Sequence, residues 1–142
     1  AHMINAVSNA TVPAISVIIG SSYGAGHYAM CGRAYKPRFL FTWPNARVAV
    51  MGSEQLVGVM SIIQEAAAKR AGIEINQEVA KQMQDTFKKK VDKTSTPYFY
   101  TANVLDDGII DPRHTRDILG MCYSIIYSGT VEPGFNFGIH RL

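Results

Sequence analysis

Between Gly20 and Gly26 the chain reads Gly-Ser-Ser-Tyr-Gly-Ala-Gly. This small-residue loop follows an apolar, β-rich run, Val12 to Ile19, and precedes a helix read over His27 to Ala34. A strand, a small loop and a helix start bring backbone N–H groups to the positive end of a helix. Glycine and alanine let a ligand oxygen approach that backbone closely. Such a cradle suits a phosphate, or an oxyanion that develops during a reaction. A tight turn that needs small residues only for packing is the other reading of the same residues.

Two nucleotide motifs bear on this loop: the first fails and the second is weak. A phosphate-binding P-loop needs Gly-Lys-Ser/Thr, and no lysine occurs before Lys36. Gly24, Gly26 and Ala29 spell the dinucleotide pattern G-x-G-x-x-A, yet residues 34–53 hold no Asp or Glu to take a ribose hydroxyl. Side-chain catalysts are also scarce. His27 adjoins the loop without a triad partner nearby in sequence, so a helix-surface or hydrogen-bonding role is favoured over a general base. His114 reads as solvated in a first helical turn, and His140 stands near the end without a role. Tyr23, Tyr28 and Tyr35 read as core rather than pocket lining. No serine has the G-x-S-x-G context of a hydrolase nucleophile. The loop therefore reads as a site working through backbone dipoles.

The elements that must position it follow from pattern. The run Val12 to Ile19 is nearly continuous in apolar residues, which suits a strand covered on both faces. Phe39 to Trp43 and Arg47 to Met51 read as two more strands, separated by the turn Pro44-Asn45. Ser53 is read as the N-cap of a helix with Leu56, Val59, Met60, Ile63 and Ala67 on one face, ending at Gly72. Asn76 caps a second helix carrying Val79, Met83 and Phe87 and ending in Lys88-Lys89-Lys90, read as a solvated face. Thr94 to Pro97 reads as a loop. Asp111-Pro112 starts the last helix, with Ile118, Leu119, Cys122, Ile125 and Ile126 as its stripe and Gly129 at its end. The segment Phe135 to Leu142 is apolar enough to pack on something.

With 142 residues, 47% of them apolar, the sequence is one domain or part of one. Ala1-His2-Met3 reads as a tag remnant, leaving residues 4–142 as the domain. No signal peptide and no membrane-spanning run is present. The formal charge is +3. Residues 1–60 hold Arg33, Lys36, Arg38 and Arg47 against Glu54 alone. So modest an excess fits an anionic small molecule better than nucleic acid. Cys31 and Cys122 lack metal-ligand spacing and read as reduced, buried thiols in helices of an intracellular protein. Three short strands leave a buried strand at residue 12 without enough neighbours, so this α/β piece reads as the end of a larger domain.

The stretch SYGAGHYAMCGRAYKPRFLFTWPNARVAVMGSEQ, followed by DDGIIDPRHTR, resembles the C-terminal part of the carboxyltransferase (beta) subunit of biotin-dependent acyl-CoA carboxylases. The likeness is strongest to 3-methylcrotonyl-CoA carboxylase, with propionyl-CoA and geranyl-CoA carboxylases as rivals. It runs from about Ile4 to Leu142 and is loosest between Gln64 and Pro97.

The resemblance implies a crotonase-like fold (ClpP/crotonase superfamily), here the later portion of the second carboxyltransferase half. It implies transfer of CO2 from carboxybiotin to an acyl-CoA, as in leucine catabolism, without a side-chain base and without a metal in this piece. Ala25 and Gly26 are the implied donors to the biotin carbonyl, with Tyr23, Gly24 and His27 lining the biotin pocket. His27 stands where close relatives are expected to carry asparagine, and Ser53 where they tend to carry glycine. The implied partners are a biotin carboxylase/biotin carrier (alpha) subunit and other beta subunits in a homo-oligomeric core, with no nucleic acid and no membrane. The implied location is cytoplasmic in a bacterium and the mitochondrial matrix in a eukaryote. Two readings from other classes remain beside it: a nucleotide-binding module built on Gly24 to Ala29, and a structural fragment without activity of its own.

Overall fold

A computed structural model describes residues 2–72 and 76–129. The N-terminal residues form helix α1, His2–Asn9. His2 and Met3 thus open a helix. Strand β1 follows at Ile15–Ile18 and strand β2 at Ser21–Tyr23, separated by Ile19 and Gly20. Helix α2, Gly24–Ala29, follows directly. Strands β3, Phe39–Thr42, and β4, Arg47–Ala49, close this part of the chain.

The strands make two small parallel sheets. β1 lies beside β3, with Ile15 opposite Phe39 and Ile18 opposite Thr42. β2 lies beside β4, with Ser21 opposite Arg47 and Tyr23 opposite Ala49. Both pairs are parallel because the chain travels through α2 and a 3-10 turn at Arg33–Tyr35 before it returns. The expected loop from Ser21 to Gly26 is therefore half strand. Ser21 to Tyr23 hydrogen-bond to a neighbour, and the helix begins at Gly24, three residues before the expected His27.

Helix α3, Ser53–Ala71, begins at the residue expected to cap it, so its N-cap lies one residue earlier. Gly52 is the N-cap, and its N–H donates to Gln55 Oε1 at 3.2 Å. Gly72 ends the helix in the left-handed region, φ 67°, where glycine carries no Cβ penalty. Asn76 caps α4, Gln77–Thr94, by accepting from the Glu78 and Val79 N–H groups. Lys88 pairs with Glu54 at 3.0 Å and so ties α4 to the start of α3, while Lys89 and Lys90 are exposed.

The expected loop at Thr94 to Pro97 gives way to a short helix, α5, Pro97–Ala102, with Thr96 as its side-chain cap. Thr96-Pro97 carries the same cap-plus-proline signature as Asp111-Pro112. Asp111 caps a 3-10 turn, Pro112–His114, that runs into α6, Thr115–Tyr127. Trp43 Nε1 donates to Thr115 Oγ1 at 3.1 Å and holds α6 against the end of β3.

The core is small: Ile18, Leu40, Ala46 and Tyr100 bury together with Val48 packed on them. β1 is not covered on both faces, since Ile15, Ser16 and Val17 are half-buried and Ile19 is exposed. The apolar faces of α3 and α4 flank an open groove of about 510 Å³ lined by Val57, Met60, Val79, Met83 and Phe87. Cys122 is buried in α6 as expected. Cys31 is only half-buried and lies outside any helix, at φ 61°, just after α2. The stretch Phe135 to Leu142, with His140, lies outside the described residues.

Candidate active site

Helix α2 is too short to be stable by its own hydrogen bonds. Its position must come from the contacts around it. It begins where β2 stops, so Gly24, Ala25 and Gly26 form the first turn. First-turn N–H groups have no acceptor inside a helix. The N-cap residue Tyr23 makes no side-chain capping bond to them, and Ala25 and Gly26 are exposed. The turn therefore leaves its backbone donors without a side-chain cap, at exposed residues.

The two glycines of this turn differ. Gly24 sits at φ +56°, and a Cβ there would lie 2.9 Å from the Val50 carbonyl oxygen. Only glycine fits that position without strain. Gly26 has no atom within 4 Å of the Cβ it lacks. Backbone strain on substitution thus falls at Gly24 and not at Gly26. What a side chain at Gly26 would fill is open space over the donors.

His27 is the one buried residue of α2, at 8% exposure. Its Nδ1 lies 3.0 Å from Ser22 Oγ on β2, and its Nε2 lies 3.3 Å from the Tyr100 hydroxyl on α5. It has the hydrogen-bonding role, not the helix-surface one. The Tyr28 and Tyr100 rings meet it edge-on at 5.3 and 6.3 Å. Gly32 closes the remaining side: a Cβ there would come within 2.5 Å of His27 Cδ2. Burial lowers the His27 pKa below its ordinary value, which favours the neutral ring. Burial, and then the charge of Asp106, raises the Tyr100 pKa, so that its hydroxyl keeps its proton.

A second polar layer lies below. Asp106 is buried, and its Oδ2 accepts from Thr42 Oγ1 at 2.8 Å and Thr101 Oγ1 at 3.1 Å. Asp107 Oδ2 accepts from the Leu40 N–H at 2.8 Å, and Arg33 spans both carboxylate oxygens at 3.2 and 3.3 Å. The first two aspartates of the DDGIIDP run thus fasten β3 to the chain that follows α5. Sequence reading placed Tyr23 to His27 together but missed Ser22 and Tyr100 as the partners of His27. Thr96-Pro97 would have revealed α5; nothing local would have paired Tyr100 with His27, 73 residues away. Among the described residues no cluster of three or more His, Cys, Asp or Glu is placed to hold a metal. No helix among them is long and apolar enough to cross a membrane.

Residues 1–136 match the carboxyl transferase domain family. A probable biotin-dependent acyl-coenzyme A carboxylase beta2 subunit from Mycobacterium tuberculosis is 51% identical over 99% of this chain and 26% of its own length. The mitochondrial methylcrotonoyl-CoA carboxylase beta chain of Arabidopsis thaliana is 46% identical over 100% of this chain and 24% of its own length. Among solved structures, the geranyl-CoA carboxylase beta subunit of P. aeruginosa superposes with a TM-score of 0.80 at 40% identity, over 96% of this chain and 26% of that one. The chain spans about a quarter of the length of these relatives. The two sheets, the exposed first turn of α2 and this likeness along nearly the whole chain together place the protein, with its crotonase-like fold, in the carboxyl transferase domain family of biotin-dependent acyl-CoA carboxylases.

Proposed function

We propose that this chain supplies the biotin-facing half-site of an acyl-CoA carboxyltransferase. The observation that carries the reading is the first turn of α2: exposed, uncapped donors at Ala25 and Gly26, with open space where a Gly26 side chain would stand. Open space there leaves room for a planar cyclic urea, whose oxygen would need donors at close approach. When bound, carboxylated biotin supplies the CO2 that is transferred. The Ala25 and Gly26 N–H groups hold the ureido oxygen and stabilise negative charge developing there. Tyr23 and Gly24 set the start of the turn. No side chain of the turn acts as a base: His27, which follows Gly26 directly, is enclosed and already hydrogen-bonded at both ring nitrogens.

The favoured acyl group is 3-methylcrotonyl, supported by the 46% identity to a plant methylcrotonoyl-CoA carboxylase beta chain. Geranyl-CoA is the second reading, supported by the 0.80 superposition on a geranyl-CoA carboxylase subunit. Turnover of the two thioesters by the natural protein, side by side, decides between them. In this reading its partners are a biotin-bearing subunit and further beta subunits. Its compartment is the bacterial cytoplasm or the mitochondrial matrix, according to source.

The reading is tested at Gly26. Losing one oxyanion donor typically costs roughly 10²–10³ in rate. Gly26→Val in the natural protein, assembled with its biotin-bearing partner, should lower kcat by about that factor and leave the KM for acyl-CoA unchanged. A Cβ at this position meets no atom within 4 Å, so the variant should fold, which a thermal melt checks. Undiminished turnover in this variant would refute the reading.

A further inference from the structure

We propose that the His27–Tyr100 hydrogen bond is a positioning device for the first turn of α2, fixing where the Ala25 and Gly26 N–H groups stand. The inference rests on the reading of that turn as the biotin-facing half-site. Helix α2 has one buried side chain, His27, and that side chain reaches two different elements: Ser22 on β2 through Nδ1, and Tyr100 on α5 through Nε2. Ser22 lies in the strand just before the turn, so this bond ties α2 only to the strand that runs directly into it. The Tyr100 hydroxyl provides a second, remote point of attachment. Two points on different elements fix an orientation where one does not. The ring is also confined between Gly32 and the edges of Tyr28 and Tyr100, so it has no alternative seat.

The side chains that satisfy each contact differ in length. An asparagine amide ends near the place of Nδ1 and reaches Ser22 only; a glutamine amide ends near the place of Nε2 and reaches Tyr100. This chain therefore holds its turn by a longer reach than an asparagine at the same position allows.

The test uses the natural protein with its biotin-bearing partner, assayed with free biotin and acyl-CoA as separate variable substrates. Tyr100→Phe removes one hydroxyl and keeps the ring. It should lower kcat about tenfold and raise the KM for free biotin, while the KM for acyl-CoA stays unchanged; an ångström of misplacement costs up to about a hundredfold. His27→Asn should match it, and the double variant should be no worse than either single one. His27→Gln should recover part of the loss. A fall in kcat with both KM values unchanged marks a smaller folded fraction and overturns the inference, as do multiplying effects in the double variant. Gly26→Val is measured alongside. If it is slow while Tyr100→Phe and His27→Asn are normal, positioning fails and the half-site stands. If Gly26→Val is itself normal, the half-site reading fails and the inference with it.

Discussion

Arg33 and Asp107 meet across 74 residues of sequence, with two guanidinium nitrogens 3.2 and 3.3 Å from the two carboxylate oxygens. The same carboxylate accepts the Leu40 N–H at 2.8 Å, and Leu40 is 1% exposed. One partner of Asp107 is thus a half-exposed cation, and the other is a backbone donor of the most buried strand. These two contacts should differ in energetic weight. An ion pair near the surface contributes about 0.2–1 kcal/mol. A buried donor left without an acceptor costs about 1–3 kcal/mol. Asp107→Ala should therefore destabilise the fold more than Arg33→Ala, by urea denaturation, and Asp107→Asn should fall between them because its amide oxygen still accepts. Equal losses for the two alanine variants would show that the ion pair is the dominant contact.

The glycines of the α2 turn separate stability from turnover. Gly24→Ala places a Cβ at φ +56° and 2.9 Å from the Val50 oxygen, so it should cost about 1–2 kcal/mol from the left-handed backbone alone. Gly26→Ala meets no neighbour and sits in an ordinary helical turn, so its melting temperature should match the parent within a degree or two. Thermal melts of the two variants check this directly, and a larger loss at Gly26 would contradict the described turn.

His27 makes stability depend on pH in a stated direction. Its pKa in the folded chain is lowered from 6.5 by burial. Below pH 6.5 and above the folded value, the unfolded chain binds a proton that the folded chain refuses, so stability rises with pH through that window and is lost as pH falls. Above it His27 contributes no slope. The drop in melting temperature from about pH 7.5 to about pH 5 should be smaller in His27→Asn than in the parent. An identical drop in both would remove His27 from the acid response.

Exposed apolar faces should make residues 1–142 self-associate when produced alone. Ile62, Ile63, Val79 and Met83 on α3 and α4, and Met121, Tyr123 and Ile125 on α6, are all exposed. Faces of this kind mark contact surfaces. Light scattering at high concentration should report oligomers, and a strict monomer would count against it. The same polypeptide should show no carboxyl transfer above a no-enzyme control, because it spans only a quarter of the length of its relatives.

Local chemistry was legible in the residues themselves. Glycine at Gly72, asparagine at Asn76 and the pair Asp111-Pro112 mark helix ends because capping is settled within a few residues of the cap. The apolar run before Gly20 and the small residues after it marked the turn proposed to carry the site. Local pattern also misled: Ser21 to Tyr23 looks like a loop, and becomes a strand only because Arg47 to Ala49 lies beside it.

What the tertiary structure alone decided is which distant groups meet. Tyr100 reaches His27 across 73 residues, Asp106 reaches Thr42 across 64, and Asp107 reaches Arg33 across 74. None of these pairs lies on one face of one helix or strand, so no periodicity records them. The same holds for the two glycines: their spacing in the chain is symmetrical about Ala25, yet the Val50 carbonyl crowds Gly24 and leaves Gly26 open. The residue types pointed to a turn of backbone donors; the Val50 carbonyl at Gly24 and the Tyr100 hydroxyl at His27 decided how that six-residue helix is held.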